Sequence, residues 1–396
     1  MRMNLLCLNS EMAKTLCDDY FIFKRIREKG ANVAFVTGRT SGARAMNMKL
    51  PLYENEDGFS IYRLYRDENE MLLFPRRRLS EILKIAKELR PDIIHCQGWP
   101  RIRLALLLRN YLRIPIVMHV EIASGILSKR FIGSWKMRTV GLLLGLPTRG
   151  TTFWSWLCEK SDALITSHPP DQQILPLLSE HGKPVYYLPW PADIPEDCEL
   201  PSTRDRGRGI YVGLLIPFKN TQEFEWVLPL ILQRTPTKEF IVIGASAPSH
   251  ALIIKRLQQK YGDAIKYIPR LKTRCDIMKF IASSYYAFTP VKEGGWGFIG
   301  DCGGTGTPLI MLHNVFCSKD LEPRVARDRE DLIRKINRLY EDPLFYQKLQ
   351  EVGYDAYKKR TADVVGDKLY SILQRTIENA QAPNDGKERY FGNQSL

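Results

Sequence analysis

A chain of 396 residues that is 44% hydrophobic and carries a formal net charge of +14 is long enough for two globular domains and apolar enough to give each a core. At a pI of about 9.3 its field attracts anions, whether phosphate-bearing metabolites, an anionic membrane surface or nucleic acid, and charge alone does not choose among them. The eight cysteines stand singly without zinc-site spacing, the first apolar run is too short for a signal peptide and no run reaches the roughly 18 apolar residues of a membrane span, so the expectation is a reduced, cytoplasmic chain without structural metal, soluble or peripheral on a membrane.

The runs MNLLCLNS and ANVAFVTG flank the polar-faced DDYFIFKRIREKG, which predicts a strand, a helix ending at Gly30 and a second strand. The rhythm recurs as a helix in SEILKIAKELR, a strand in PDIIHCQG, a helix in RLALLLRNYLR and strands in IPIVMHVE, DALITSH and PVYYLPW. PADIPEDCELPSTRDRGRG has no periodicity and is read as a linker. After it the pattern restarts with GIYVGLL, TQEFEWVLPLILQR, EFIVIGA, ALIIKRLQQKYG, AIKYIPR, DIMKFIASS, YYAFTPV and PLIMLHN, followed by a helical C-terminal stretch. Strands alternating with helices predict an α/β fold of two doubly wound, Rossmann-like domains. They span 1–195 and 206–375, the last helix being a candidate to pack back on the first domain, with a disordered tail over 381–396. Open sheets of this kind bind ligands outside the carboxyl ends of their strands.

The stretch EGGWGFIGDCGGTGTP, Glu293 to Pro308, follows an expected strand and holds seven glycines between and beyond two acids. Glycine lets backbone N–H groups approach a diphosphate with no side chain in the way, and a helix starting near Asp301 would add its positive end. Such loops are also ordinary tight turns, so the stretch alone does not define a site.

Together with RPDIIHCQG, IPIVMHVE, SDALITSH, LPWPADI, YVGLLIPFKN and FIVIGA, in that order, this stretch resembles the retaining, nucleotide-sugar-dependent glycosyltransferases of GT-B fold, the group 1 or family-four type. The resemblance covers nearly the whole chain. It implies that Glu293 and Asp301 are the acids of the E-x7-E motif, Glu293 contacting hydroxyls of the donor sugar and Asp301 holding the ribose. Gly294, Gly295, Gly297, Gly213 and Thr305 complete the implied donor site, Lys219 neutralises the leaving diphosphate and His119 faces donor sugar and acceptor. His95, also at a strand end, is a weaker candidate.

The chain departs from the family pattern in four places. Leu214 stands where an arginine is usual, with Arg270 as a candidate substitute, and Asp301 replaces the commoner glutamate. The Trp-Gly pair of EGGWGF is displaced by one residue, and CLNSEMAKT replaces a glycine-rich first loop. The implied reaction transfers a glycosyl group to an acceptor hydroxyl with retention, the protein orienting reactants and stabilising the departing diphosphate. No cofactor or metal is expected, and the chain has no DxD to hold one.

The segment SGILSKRFIGSWKMRTVGLLLGLPTRGTTFWSWLCEK interleaves Lys129, Arg130, Lys136, Arg138 and Arg149 with Trp135, Phe153, Trp154 and Trp156. This suits contact with an anionic membrane presenting a lipid-linked acceptor, and it equally suits a helix whose apolar face is core. Three readings stand at this point: a transferase building a cell-surface polysaccharide, lipopolysaccharide or glycolipid on a lipid-linked or saccharide acceptor; a DNA-modifying glucosyltransferase; and a non-catalytic sugar-nucleotide or membrane-binding protein. The absence of a helix-turn-helix or zinc-finger pattern argues against nucleic acid as partner.

Overall fold

The computed structural model describes residues 3–9, 19–39, 50–98, 101–120, 145, 150–167, 182–195, 197–216, 219–269, 271, 273–290, 296–312 and 323–382. Contacts divide the chain into a first unit, Met1–Pro189 with Ala362–Leu396, and a second, Trp190–Thr361.

The first unit is built on β1 (Asn4–Leu8), β2 (Asn32–Gly38), β3 (Tyr53–Glu56), β4 (Phe59–Tyr65), β5 (Ile93–Gln97), β6 (Ile116–Val120), β7 (Ala163–Thr166) and β8 (Val185–Tyr187). Their order is β3-β4-β2-β1-β5-β6-β7-β8, parallel throughout except for β3 against β4. The central strands are continuous apolar runs because both faces are covered. Leu6 and Leu8 face helices Leu79–Leu89 and Ile102–Leu112, while Leu5 and Cys7 face helices Asp19–Glu28 and Ala362–Gln381. The C-terminal helix is pinned by Asp367, whose Oδ1 lies 2.8 Å from Arg25 Nε and 3.2 Å from Lys29 Nζ. The β3–β4 hairpin was not among the expected elements. Its two-residue turn, Asp57-Gly58, has φ of 48° and 77°, the left-handed pair that matches strand twist.

The second unit holds β9 (Asp205–Val212), β10 (Glu239–Ile243), β11 (Ile265–Ile268), β12 (Ser284–Thr289), β13 (Leu309–Leu312) and β14 (Val325–Ala326), all parallel in the order β11-β10-β9-β12-β13-β14. Three expectations are corrected here. The last residues of the expected linker, DRGRG, open β9. The C-terminal helical stretch breaks at Asp342, whose side chain caps Phe345 N–H at 3.0 Å while Pro343 opens the next helix, Pro343–Lys358. Cys198 and Cys275 form a disulfide, so the chain is not fully reduced; a separation of 77 residues carried no local signal of the pairing. Cys7, Cys96, Cys158 and Cys302 are free and buried.

Candidate active site

In the second unit, β9 and β12 are parallel neighbours, and the chain leaves both at the same edge of the sheet. After β9 the backbone crosses close to the loop that follows β10. A Cβ on Gly244 would fall 2.0 Å from the carbonyl oxygen of Gly213, so this crossing requires glycine. Gly213 donates to Ile243 O at 2.9 Å, and a Cβ on it would meet the Tyr211 hydroxyl at 2.7 Å. Gly213 is thus a packing glycine beside the loop that carries Lys219.

Lys219 is half-buried in a tight turn, its N–H donating to Ile216 O at 3.0 Å. The next residue, Asn220, is buried in the left-handed region (φ 55°) and donates from Nδ2 to Pro290 O at 3.0 Å. Pro290 directly follows β12, three residues before Glu293, so Asn220 ties the Lys219 loop to the end of that strand. Asn220 was missed in the sequence, although its position beside Lys219 was a usable signal.

Glu293, Gly294 and Gly295 lie outside the described residues, as does Arg270. Helix Trp296–Gly304 follows at once. It starts five residues before Asp301, which corrects the expectation of a start near that acid. The positive end therefore belongs to Trp296–Ile299, whose N–H groups have no partner within the helix. Gly297 sits in this first turn, and among the described residues a Cβ there would first meet Trp190 Cδ1, at 3.9 Å.

The later glycines serve packing. A Cβ on Gly300 would lie 2.3 Å from Ala192 Cβ, one on Gly303 2.3 Å from Gly353 O, and one on Gly304 2.8 Å from the Tyr357 ring. Gly306 (φ 67°) ends the helix in a Schellman turn, with Thr307 N–H bonded to Cys302 O at 2.8 Å and Gly306 N–H to Gly303 O at 3.1 Å. Thr305 is buried at this C-terminal end, its hydroxyl donating to Asp301 O at 2.9 Å. A helix of nine residues is about 13 Å long, so Thr305 stands well away from the positive end. Asp301 is 6% exposed, and its Oδ1 accepts from Arg274 Nη2 at 2.7 Å. Arg274 also donates from Nε to Asp193 O at 2.9 Å.

In the first unit, His119 is the fourth residue of β6 and is 4% exposed. Its Nε2 lies 2.8 Å from Oγ of Ser167, just beyond β7. His95 on β5 shares that face, with ring centroids 5.6 Å from His119 and 5.5 Å from Phe23. Burial pushes His119 down to about 4, and burial followed by the neighbouring His119 holds His95 well below the ordinary range, so both rings are neutral at pH 7. Ser167 carried no sequence signal beyond following an apolar strand.

Among the described residues there is no cluster of three or more His, Cys, Asp or Glu side chains able to hold a metal ion. No helix among them is long and apolar enough to cross a membrane. The basic and aromatic segment singled out above lies outside the described residues over 124–144 and 146–149; its end forms helix Gly150–Lys160. The expected tail lies outside them from 383 onward.

Two α/β units, one on a largely parallel sheet and one on a wholly parallel sheet, have the strand and helix layout of a GT-B architecture. A sucrose-phosphate synthase from Thermosynechococcus elongatus shares it with a TM-score of 0.74 at 14% identity, over 96% of this chain and 100% of that one. An alpha,alpha-trehalose-phosphate synthase (UDP-forming) from Burkholderia vietnamiensis gives 0.69 at 14% identity, over 97% and 100%. An E. coli trehalose-6-phosphate structure bound with UDP-2-fluoro glucose gives 0.65 at 12% identity, over 96% and 99%. No curated protein sequence matches the chain. Residues 22–178 match the family model of the glycosyl transferase 4-like domain. The chain has the GT-B fold, and the glycosyl transferase 4-like match over residues 22–178, within the first unit, supports a glycosyltransferase.

Proposed function

We propose that the protein moves a sugar, with retention, from a nucleotide diphosphate sugar to an acceptor hydroxyl in the synthesis of a cell-surface polysaccharide, lipopolysaccharide or glycolipid. The observation that carries this reading is the hydrogen bond from Asn220 to Pro290 O, which ties the Lys219 loop to the end of β12, six residues before helix Trp296–Gly304 begins. A lysine and a helix N-terminus acting on one anion offset the negative charge that builds on a departing nucleoside diphosphate. With that neutralisation in place the reaction calls for no metal or other cofactor. In this reading Glu293 binds donor-sugar hydroxyls, Gly294, Gly295 and Gly297 leave room for the phosphates, Asp301 supports the ribose side and His119 orients the reacting sugar. The acceptor is lipid-linked or a saccharide, and the basic, aromatic segment around Trp135 holds the protein peripherally on an anionic surface at the cytoplasmic face.

The test is a donor screen with UDP-, GDP-, ADP- and dTDP-sugars, with and without anionic liposomes, following thermal shift and release of nucleoside diphosphate. One donor should stabilise the protein and hydrolyse slowly, faster with a lipid extract. Glu293→Gln and Lys219→Ala should each lower transfer by roughly 10²-fold or more. Full activity in both variants would remove the site assignment, and failure of every donor to bind would leave a non-catalytic member of the fold.

A further inference from the structure

The proposed function gives His119 a ligand to face but does not say what its ring offers. The ring has one nitrogen, Nε2, committed to the Ser167 hydroxyl at 2.8 Å, and Ser167 itself is 3% exposed. Among the described residues this is the only hydrogen-bond partner of that hydroxyl. A serine hydroxyl has one proton to donate and two lone pairs to accept with. Were it to accept from an Nε2–H, its own proton would be buried with no acceptor, which is the costly way to leave a hydroxyl. Donation from Oγ to Nε2 satisfies both groups. A neutral ring that accepts at Nε2 carries its proton on Nδ1.

The surroundings agree with a neutral ring. His119 is paired across the sheet with Gln97 and Ile165, and no carboxylate among the described residues bonds to it. A general base of the histidine type is usually held by an acid that stabilises the imidazolium. His95, itself 1% exposed, packs against the ring, and a charge on it would oppose one on His119.

We infer that Ser167 is a positioning residue that locks His119 in the Nδ1–H tautomer, so that the ring presents a neutral N–H donor to an oxygen of the bound sugar rather than a base to the acceptor. The assignment of that oxygen to a sugar rests on the proposed function; the tautomer does not.

The experiment uses the full chain labelled with 15N-histidine, of which there are six residues, with His119 assigned from a His119→Gln sample. Long-range 1H–15N correlation at pH 7 should show Nε2 of His119 unprotonated and Nδ1 protonated. Ser167→Ala should shift the ring toward Nε2–H, and Ser167→Thr should keep the wild-type pattern. A wild-type ring protonated on Nε2 overturns the inference even where Ser167→Ala does not fold, and so does an unchanged tautomer in a folded Ser167→Ala. With the donor found in the screen, Ser167→Ala should lower kcat by about tenfold or more with KM little changed, and Ser167→Thr should restore it. Unaltered kcat in Ser167→Ala overturns the positioning role. If no donor binds, the proposed function falls while the spectrum still decides the tautomer.

Discussion

The carboxylate of Asp301 is joined to Arg274, with Oδ1 2.7 Å from Nη2, and only 8% of the acid's side chain is exposed. The same arginine holds Asp193 O, so the acid, the helix Arg274–Ser283 and the segment after Trp190 form one connected group within the second unit. Removing one member leaves a partly buried charge behind. Asp301→Asn should therefore lower stability by about 1–3 kcal/mol, read as a shift in the urea midpoint with an unchanged slope. An unaltered midpoint would mean that the pair contributes nothing to the stability of the fold.

The glycines of the stretch separate into two kinds by what a Cβ would meet. Gly303 faces backbone at 2.3 Å, where nothing can give way locally, whereas among the described residues Gly297 meets only the Trp190 ring, at 3.9 Å. Gly303→Ala should destabilise by about 1–3 kcal/mol as helices Trp296–Gly304 and Pro343–Lys358 are forced apart. Gly297→Ala should hold or raise stability, by up to about 1 kcal/mol from lost unfolded-state entropy, and weaken donor binding instead. Thermal melts of both variants with and without donor check this. Donor affinity unchanged in Gly297→Ala would remove that glycine from the site.

How far the sequence exposed these features depends on the range of the interaction behind them. Apolar runs such as PDIIHCQG and EFIVIGA are local, and each marked a strand of a doubly covered sheet. The Asp57-Gly58 turn was equally local, a two-residue hairpin signal flanked by alternating residues in β4, and it was overlooked between two stronger parallel-strand patterns. The packing of Gly300 on Ala192, the Arg274–Asp301 pair and the Ser167–His119 bond join residues 27 to 108 positions apart. Spacing along the chain carries no trace of them. A glycine needed for a neighbouring helix and one needed for a phosphate look alike until both neighbours are in place.

The buried histidines make stability depend on pH with a definite sign. His119 has its folded value depressed to about 4 from an ordinary 6.5, so between these values the unfolded chain binds a proton that the folded chain refuses. Stability is complete above about pH 6.5 and falls as pH drops toward 4, by about 3 kcal/mol for this residue. His95 adds in the same direction. Urea unfolding at pH 7 and pH 5 should show the loss, and His95→Phe should reduce it by removing one of the two rings. Equal stability at both values would mean that the folded protein takes up the protons, with the rings open to water.

The Cys198–Cys275 bond staples the segment after Trp190 to the first turn of helix Arg274–Ser283, one residue from Arg274. It closes a long loop, so its removal widens the unfolded ensemble, and about 2–4 kcal/mol of stability is at stake. The position matters as much as the loop. Arg274 reaches both Asp193 and Asp301, so loosening the staple frees the arginine and exposes the carboxylate it covers. Reductant should lower the melting temperature of the wild type, and Cys198→Ser should lower it to the same point and then be insensitive to reductant. The Cys198→Ser and Asp301→Asn effects should fall short of additive when combined, because both act through Arg274. Alkylation of the denatured protein before and after reduction, read at Cys198 and Cys275 by peptide mass, checks the bond directly. Full labelling of both thiols without reductant would show them unpaired and leave the Arg274–Asp301 pair to hold the segment unaided.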